Sequence, residues 1–219
     1  MPSLDRRARE KAAVQEKILD AAREQFLSGG YEAVSLRKIA EAIEYTPPAI
    51  YTHFKDKTDL LREVCRRDFA ALDEVFLKLG TVADPVERIY RIGTTYIRFA
   101  HEHPKHYRFM FMTPGLATVV PPTAEDLAQA NDPDQDAYAF LVMTVKQAIA
   151  AGRFREEYAG AELSAQTLWA GVHGVASLEV THAECPWVRL GPLEARSGAM
   201  CAAVLRGMLK NPAELEAFA

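Results

Sequence analysis

The chain is short of cysteine, of excess positive charge and of long apolar runs. Its three cysteines, Cys65, Cys185 and Cys201, are odd in number and include no C-x-x-C pair. That argues against a disulfide framework or a cysteine zinc site and implies free thiols in a reducing cytoplasm. Lys and Arg number 26 against 30 Asp and Glu, a formal net charge of −4, so this is not a globally basic nucleic-acid binder. A basic edge on one module suffices when the rest is acidic, and Arg6, Arg7, Arg9, Lys11 and Lys17 supply one against Asp5, Glu10 and Glu16. The longest apolar candidate, LWAGVHGVASL, is interrupted by His173, so no membrane span is expected. The charged start resembles no signal peptide. G-x-S-x-G, P-loop, G-x-G-x-x-G and H-E-x-x-H patterns are all absent, and no carboxylate pair stands out as acid and base. No enzyme, catalytic residue, metal or cofactor is therefore expected. Strand-like alternation, N-G hairpins, repeats and low-complexity segments are missing too.

What is present is helical periodicity in a chain with 49% hydrophobic and 26% charged residues, the balance of a globular protein with a sizeable core. After a polar, mobile start, a stripe of Val14, Ile18, Ala21, Ala22 and Phe26 predicts a helix over 12–27, ended by Ser28-Gly29-Gly30. Leu60 to Leu79 forms a long fourth helix. Asp84 caps the next, with Pro85 at its first position, and Pro104 stops it near His103. A short helix follows to Thr113, then a loop over 115–134 with one helical turn near 124–130. Helices over 137–151, 161–182 and 191–210 complete an all-α chain.

The stretch from Ser35 to Leu60, SLRKIAEAIEYTPPAIYTHFKDKTDL, organises the rest. Leu36, Ile39, Ala40 and Ile43 give one short helix a buried stripe, with Ser35 placed to cap it. Thr46 caps a second, which starts at Pro47 and buries Ala49, Ile50 and Phe54 while Pro48, Tyr51, Thr52 and His53 occupy the other face. Two short amphipathic helices with a compact connection read as a helix-turn-helix, whose second helix enters the major groove of DNA. The run TPPAIYTHFKDKTDLL, preceded by AAREQFLSGGYEAVSLRKIAEA, resembles the DNA-binding module of the TetR family. That family often has glycine in the inter-helix turn, where this chain has Glu44, so a left-handed turn would have to form without glycine.

The resemblance implies site roles. Ser35, Tyr51, His53 and Lys57 face phosphates, Arg37 reaches a guanine edge, and Pro48, Ala49 and Thr52 are the nearest base neighbours, with Thr46 and Pro47 at the helix start. For Tyr51 and His53 the alternative is packing on the module's own core. Lys38 and Lys55 read as solvated charges.

Further on, LWAGVHGVASLE is similar to the W-x-x-x-H-G segment of one TetR subgroup, and YIRFAHEHPKHYRFMF to its preceding segment. This implies a helical ligand-sensing and dimerising domain. Tyr96, Phe99, Phe109, Met112, Tyr138, Met143, Trp169 and His173 are the candidates to line an apolar ligand pocket, although such residues are also ordinary core. For His173 two readings stay open: a core histidine satisfied by a backbone carbonyl, or a ligand contact. Gly171 and Gly174 imply close helix approach at a dimer interface or the pocket. His101, His103 and His106 are badly spaced for one metal and read as a helix-end cluster, with His103 helping to cap carbonyls.

The expected organisation is residues 1–57 as the DNA-binding domain and 58–219 as the ligand-binding and dimerisation domain. The expected function is a cytoplasmic regulator, most simply a repressor, with a double-stranded DNA operator, a small-molecule effector and a homodimer through the last two helices. The rivals are a structural DNA-binding protein without ligand control, which would have a cavity-free second domain, and a helical enzyme or carrier with a vestigial helix-turn-helix.

Overall fold

The computed structural model describes residues 2–218, with side chains from Arg6 onward. Eleven α-helices follow one another among the described residues: α1 Pro2–Ala33, α2 Leu36–Ala42, α3 Pro47–Tyr51, α4 Lys57–Leu77, α5 Pro85–Glu102, α6 Pro104–Phe111, α7 Leu116–Val119, α8 Ala124–Gln129, α9 Ala137–Ala150, α10 Ala161–His182 and α11 Leu193–Met208. The β structure among them is a lone antiparallel bridge between Phe154 and Leu209. The all-α expectation holds.

Local chemistry explains several boundaries. The Asp84 carboxylate accepts the N–H groups of Val86 and Glu87 at 2.8 and 3.0 Å, and Pro85 opens α5 where no donor is needed. Pro104 ends α5 and opens α6.

Other expectations need correction. The polar start is helical from Pro2, while Met1 lies outside the described residues. Gly30, at φ 71° and ψ −169°, does break the helical geometry of α1 near the expected end, and the chain resumes helical hydrogen bonding to Ala33. Ser35 and Thr46 stand at the N-caps of α2 and α3 in extended conformation, but neither hydroxyl takes a bond from its helix. The Ser35 N–H instead donates to Gln25 Oε1 at 3.3 Å, tying it to α1. The loop after α6 contains α7 besides the expected turn at α8, whose start is closed by the reciprocal Thr123–Asp126 capping box.

By packing, the chain forms two units. The first holds the residues up to Phe69 together with Lys105–Pro122, and the second holds Ala70–Pro104 with the residues from Thr123 on. The boundary expected after Lys57 thus falls inside the first unit, because α4 and α6 both bury apolar side chains there. Its core gathers Ile18, Leu19, Ala22 and Phe26 of α1, Leu36 and Ile39 of α2, Ile50 and Phe54 around α3, and Leu60, Leu61 and Val64 of α4. Phe109 of α6 completes it, fully buried and edge-on to Phe26 at a centroid distance of 5.1 Å.

In the second unit α5 packs against α9, α10 and α11, and α10 also packs against α9 and α11. Gly93 permits this: a Cβ there would lie 2.7 Å from Cys201 Sγ and 3.0 Å from Val172 Cγ1, so α5 approaches both neighbours closely. Burial pushes the Cys201 thiol up to about 12, which leaves it an inert core group. Gly171 likewise admits Met200 of α11, whose Sδ would be 3.1 Å from an added Cβ, whereas Gly174 faces open space. The close approach at Gly171 therefore joins two helices of the same chain.

Candidate nucleic-acid interface

The helix-turn-helix is built by α2, a four-residue connection and α3. At the end of α2, Tyr45 N–H donates to Ala40 O at 2.8 Å and Glu44 N–H to Glu41 O at 3.3 Å, the crossed pair of a Schellman turn. That closure requires a left-handed residue after the cap, and Glu44 takes it with φ 60°. An L-residue there costs about 1–2 kcal/mol, part of which glycine returns through its larger unfolded-state entropy. Glu44→Gly is expected to raise stability by about 1 kcal/mol, read as a later denaturant midpoint with an unchanged slope. No change would show that the exposed Glu44 side chain compensates elsewhere.

The buried sides of α2 and α3 leave their other sides free. Arg37 is exposed and its Nε donates to Glu41 Oε1 at 3.1 Å, one turn along. Pro48 and Tyr51 are exposed, Tyr51 at 59%. Pro47 and Ala49 are half-buried, and Thr46 is exposed. Thr52 is exposed, but its hydroxyl donates to Ala49 O at 2.7 Å. His53 is half-buried beside the Phe54 ring; burial, then the charge of Lys11, hold its pKa below the usual histidine range. It is thus neutral near pH 7.

Lys57 opens α4. Its Nζ sits 3.8 Å above the Tyr31 ring centroid, 3.4 Å from Tyr31 O and 3.6 Å from Glu32 Oε2. Tyr31 is itself fixed by a 2.9 Å hydrogen bond between its hydroxyl and Thr58. The start of α4 is less open to an anion than expected: Asp56 Oδ1 accepts Asp59 N–H at 2.8 Å and Asp59 Oδ2 accepts Lys55 N–H at 3.2 Å. Sequence pattern does not mark Tyr31 as the cradle of Lys57 or Gln25 as the anchor of Ser35. No periodicity marks such partners, because both come from α1 or its end.

The three histidines go to separate places. His101 Nδ1 lies 2.9 Å from Glu179 Oε1, the His103 ring packs on Phe99, and His106 Nδ1 lies 3.2 Å from Asp68 Oδ1. No group of three or more metal-ligating residues occurs among the described residues.

The candidate effector residues are divided between the units. In the second, Tyr96 is buried and its hydroxyl lies 2.9 Å from His173 Nδ1. His173 is half-buried, its pKa is lowered by that burial, and its Nδ1 is a partner of the Tyr96 hydroxyl. Trp169 packs edge-on to His173 at 6.0 Å and tilted on Tyr138 at 5.8 Å. Tyr138 also donates to Glu162 Oε2 at 3.0 Å. Phe99 is buried beside His103, and Met143 accepts from Gln147 through its sulfur. Phe109 and Met112 belong to the first unit, where Phe109 is core and Met112 half-buried.

Comparison with known proteins agrees with this architecture. Residues 18–64 match the family described as "Bacterial regulatory proteins, tetR family", and residues 89–188 match "Tetracyclin repressor-like, C-terminal domain". The transcriptional repressor AcnR of Corynebacterium diphtheriae is 35% identical over 68 residues, 31% of this chain and 36% of that protein. The transcriptional regulator AcrR of Shigella flexneri is 38% identical over 69 residues, 32% of each. The chain thus spans about a third of the length of the curated relatives it matches. A TetR family regulator from Marinobacter aquaeolei VT8 superposes with TM-score 0.73 over 93% of this chain and all of its own, at 16% identity. The regulator FadR of Bacillus subtilis, solved with stearoyl-CoA, does so with TM-score 0.67 over 88% of this chain and 98% of its own, at 17% identity. With the N-terminal module and the following helical domain both matched, the chain belongs to the TetR family of bacterial regulatory proteins.

Proposed function

We propose that this protein is a non-enzymatic, cytoplasmic transcriptional repressor that binds a palindromic DNA operator as a homodimer and is released by a small, largely apolar ligand. The observation that carries it is the formed helix-turn-helix, with Arg37, Pro48, Tyr51 and Thr52 presented on the side away from Ile39, Ile50 and Phe54. Residues 1–57 hold the reading surface. Ser35, whose hydroxyl is not used by α2, faces phosphate together with Tyr51, His53 and Lys57. Arg37 reads a base edge, and Pro48, Ala49 and Thr52 meet the bases, Thr52 through its methyl since its hydroxyl proton is held by Ala49. Thr46 and Pro47 set the start of α3. The neutral His53 donates one ring N–H to a phosphate oxygen without adding a charge.

Two features of the second unit support the rest. Leu163, Ala170, Gly174 and Leu178 make one exposed stripe along α10, and Ala199 and Ala203 an exposed pair on α11, surfaces suited to a two-fold partner. Tyr96, Phe99, Tyr138, Met143, Trp169 and His173 supply aromatic and thioether groups with few polar ones for an effector. Of the stearoyl-CoA solved with the relative FadR, the acyl chain is of that apolar class, while the CoA moiety carries phosphates.

The test separates phosphate from base contacts. A duplex selected from a random pool by the intact protein is titrated at several salt concentrations. Lys57→Ala should weaken binding alike on selected and scrambled duplexes and flatten the salt slope by about one unit per half-site. Arg37→Ala should relax preference at one position per half-site. Failure of the wild-type protein to enrich any sequence would overturn the repressor reading, and identical profiles for the two variants would overturn the role assignment.

A further inference from the structure

Helix α1 begins well before it has anything to bury. Residues 6–13 are all exposed, whereas burial starts with the half-covered Val14 and becomes complete at Ile18. Two turns of helix therefore project beyond the core of the first unit. They carry Arg6, Arg7, Arg9 and Lys11 against Glu10. Arg6 is paired with Glu10 across one turn at 3.3 Å.

The remaining charges are not evenly spread. At 100° per residue, Arg7, Lys11, Val14 and Ile18 fall on a single stripe. The stripe that packs onto the unit's core is therefore basic where it overhangs the core's edge. The overhang belongs to the same unit as the recognition segment, and the charge of Lys11 acts on His53 at the end of that segment. From Lys11 to Arg7 the stripe advances about 6 Å at 1.5 Å per residue. A DNA strand carries one phosphate per about 3.4 Å of axis, so the two cations span about two phosphates.

We propose that this arm is a second backbone-binding element, in which Arg7 and Lys11 of each protomer contact duplex phosphates flanking the half-site read by α3. Charge complementarity favours duplex DNA as the occupant, and the arm belongs to the unit that carries α3. The arm adds affinity and salt dependence without sequence preference, because phosphates carry no base identity. This inference rests on the DNA-binding reading given above.

The intact protein is titrated with its selected duplex and with a scrambled one, by fluorescence anisotropy between 50 and 200 mM salt. In Arg7→Ala/Lys11→Ala the salt slope should fall by about 3–4 units per dimer, from two contacts on each of two protomers at about 0.9 each. The loss should be the same on both duplexes. The charge-preserving swap Arg7→Lys/Lys11→Arg should keep the wild-type slope. Removal of two exposed charges elsewhere, Lys146→Ala/Lys210→Ala, should leave it unchanged. A wild-type protein that binds while the arm variant keeps its full slope overturns the inference alone. Equal loss in the remote control would reduce the effect to net charge and overturn it as well. A wild-type protein that binds no duplex overturns the underlying reading instead.

Discussion

Asp68→Ala is expected to lower stability by about 3–5 kcal/mol, enough to unfold much of the first unit. Asp68 is completely buried and Arg23 is 4% exposed. The guanidinium donates to both carboxylate oxygens, Nε at 2.9 Å and Nη2 at 2.6 Å, and Nη1 donates to Asp20 at 2.6 Å. Burial acts to lower the Arg23 pKa, and the hydrogen bonds and charges of Asp68 and Asp20 more than offset it, so the cation persists at all relevant pH. Removing Asp68 leaves that cation buried beside a void, with the exposed Asp20 as its remaining carboxylate. Replacing both partners by apolar groups, Arg23→Met/Asp68→Leu, removes the buried cation together with its attraction and should recover part of the loss, since His106 Nδ1, 3.2 Å from Asp68 Oδ1, loses that neighbour as well. Urea melts of the three proteins decide this. A single variant within about 1 kcal/mol of wild type would mean that water reaches the pair.

Ala203→Arg should give monomers and a loss of operator affinity on the order of 100-fold or more. Ala203 is exposed on α11 one turn from Ala199, and α10 beside it shows Leu163 at 68% and Leu178 at 46% exposure. Two copies meeting on this surface would bring a new guanidinium, with its bulk and desolvation cost, among alanines and leucines. Each monomer would then hold a single half-site, without the gain from linking two. Sedimentation velocity and operator titration on the same sample check both halves. A variant that remains dimeric would place the interface on another face.

The motif residues of the first unit were legible because their chemistry is local. Thr46-Pro47, the Tyr51–Lys57 spacing and the stripe through Ile39 and Ile50 lie within one short stretch, and the turn at Glu44 follows from where that stretch must bend. The ends of α10 and the cap at Asp84 were legible for the same reason. The overhang of α1 was not, since a helix without an apolar stripe leaves no periodic trace. Nor were the roles of Ser35 and Lys57 fully visible, because Gln25 and Tyr31 reach them through the fold. Phe109 was grouped with Tyr96 and Trp169 by composition, yet it packs on Phe26 in the other unit. Aromatic side chains look alike in sequence, and which core they enter depends on distant partners.

The late arrival of Phe109 has a consequence for biosynthesis. Phe26 and Phe109 lie 83 positions apart and close the same core. A ribosome adding about 5–20 residues per second releases them on the order of ten seconds apart. By the end of that interval the helix-turn-helix is already translated, while the ring of Phe26 still lacks its partner from α6. Exposed surface of that kind is what chaperones bind and what nascent chains aggregate through. The core of the first unit is thus closed late, and it stays dependent on residues synthesised beyond the start of the second unit.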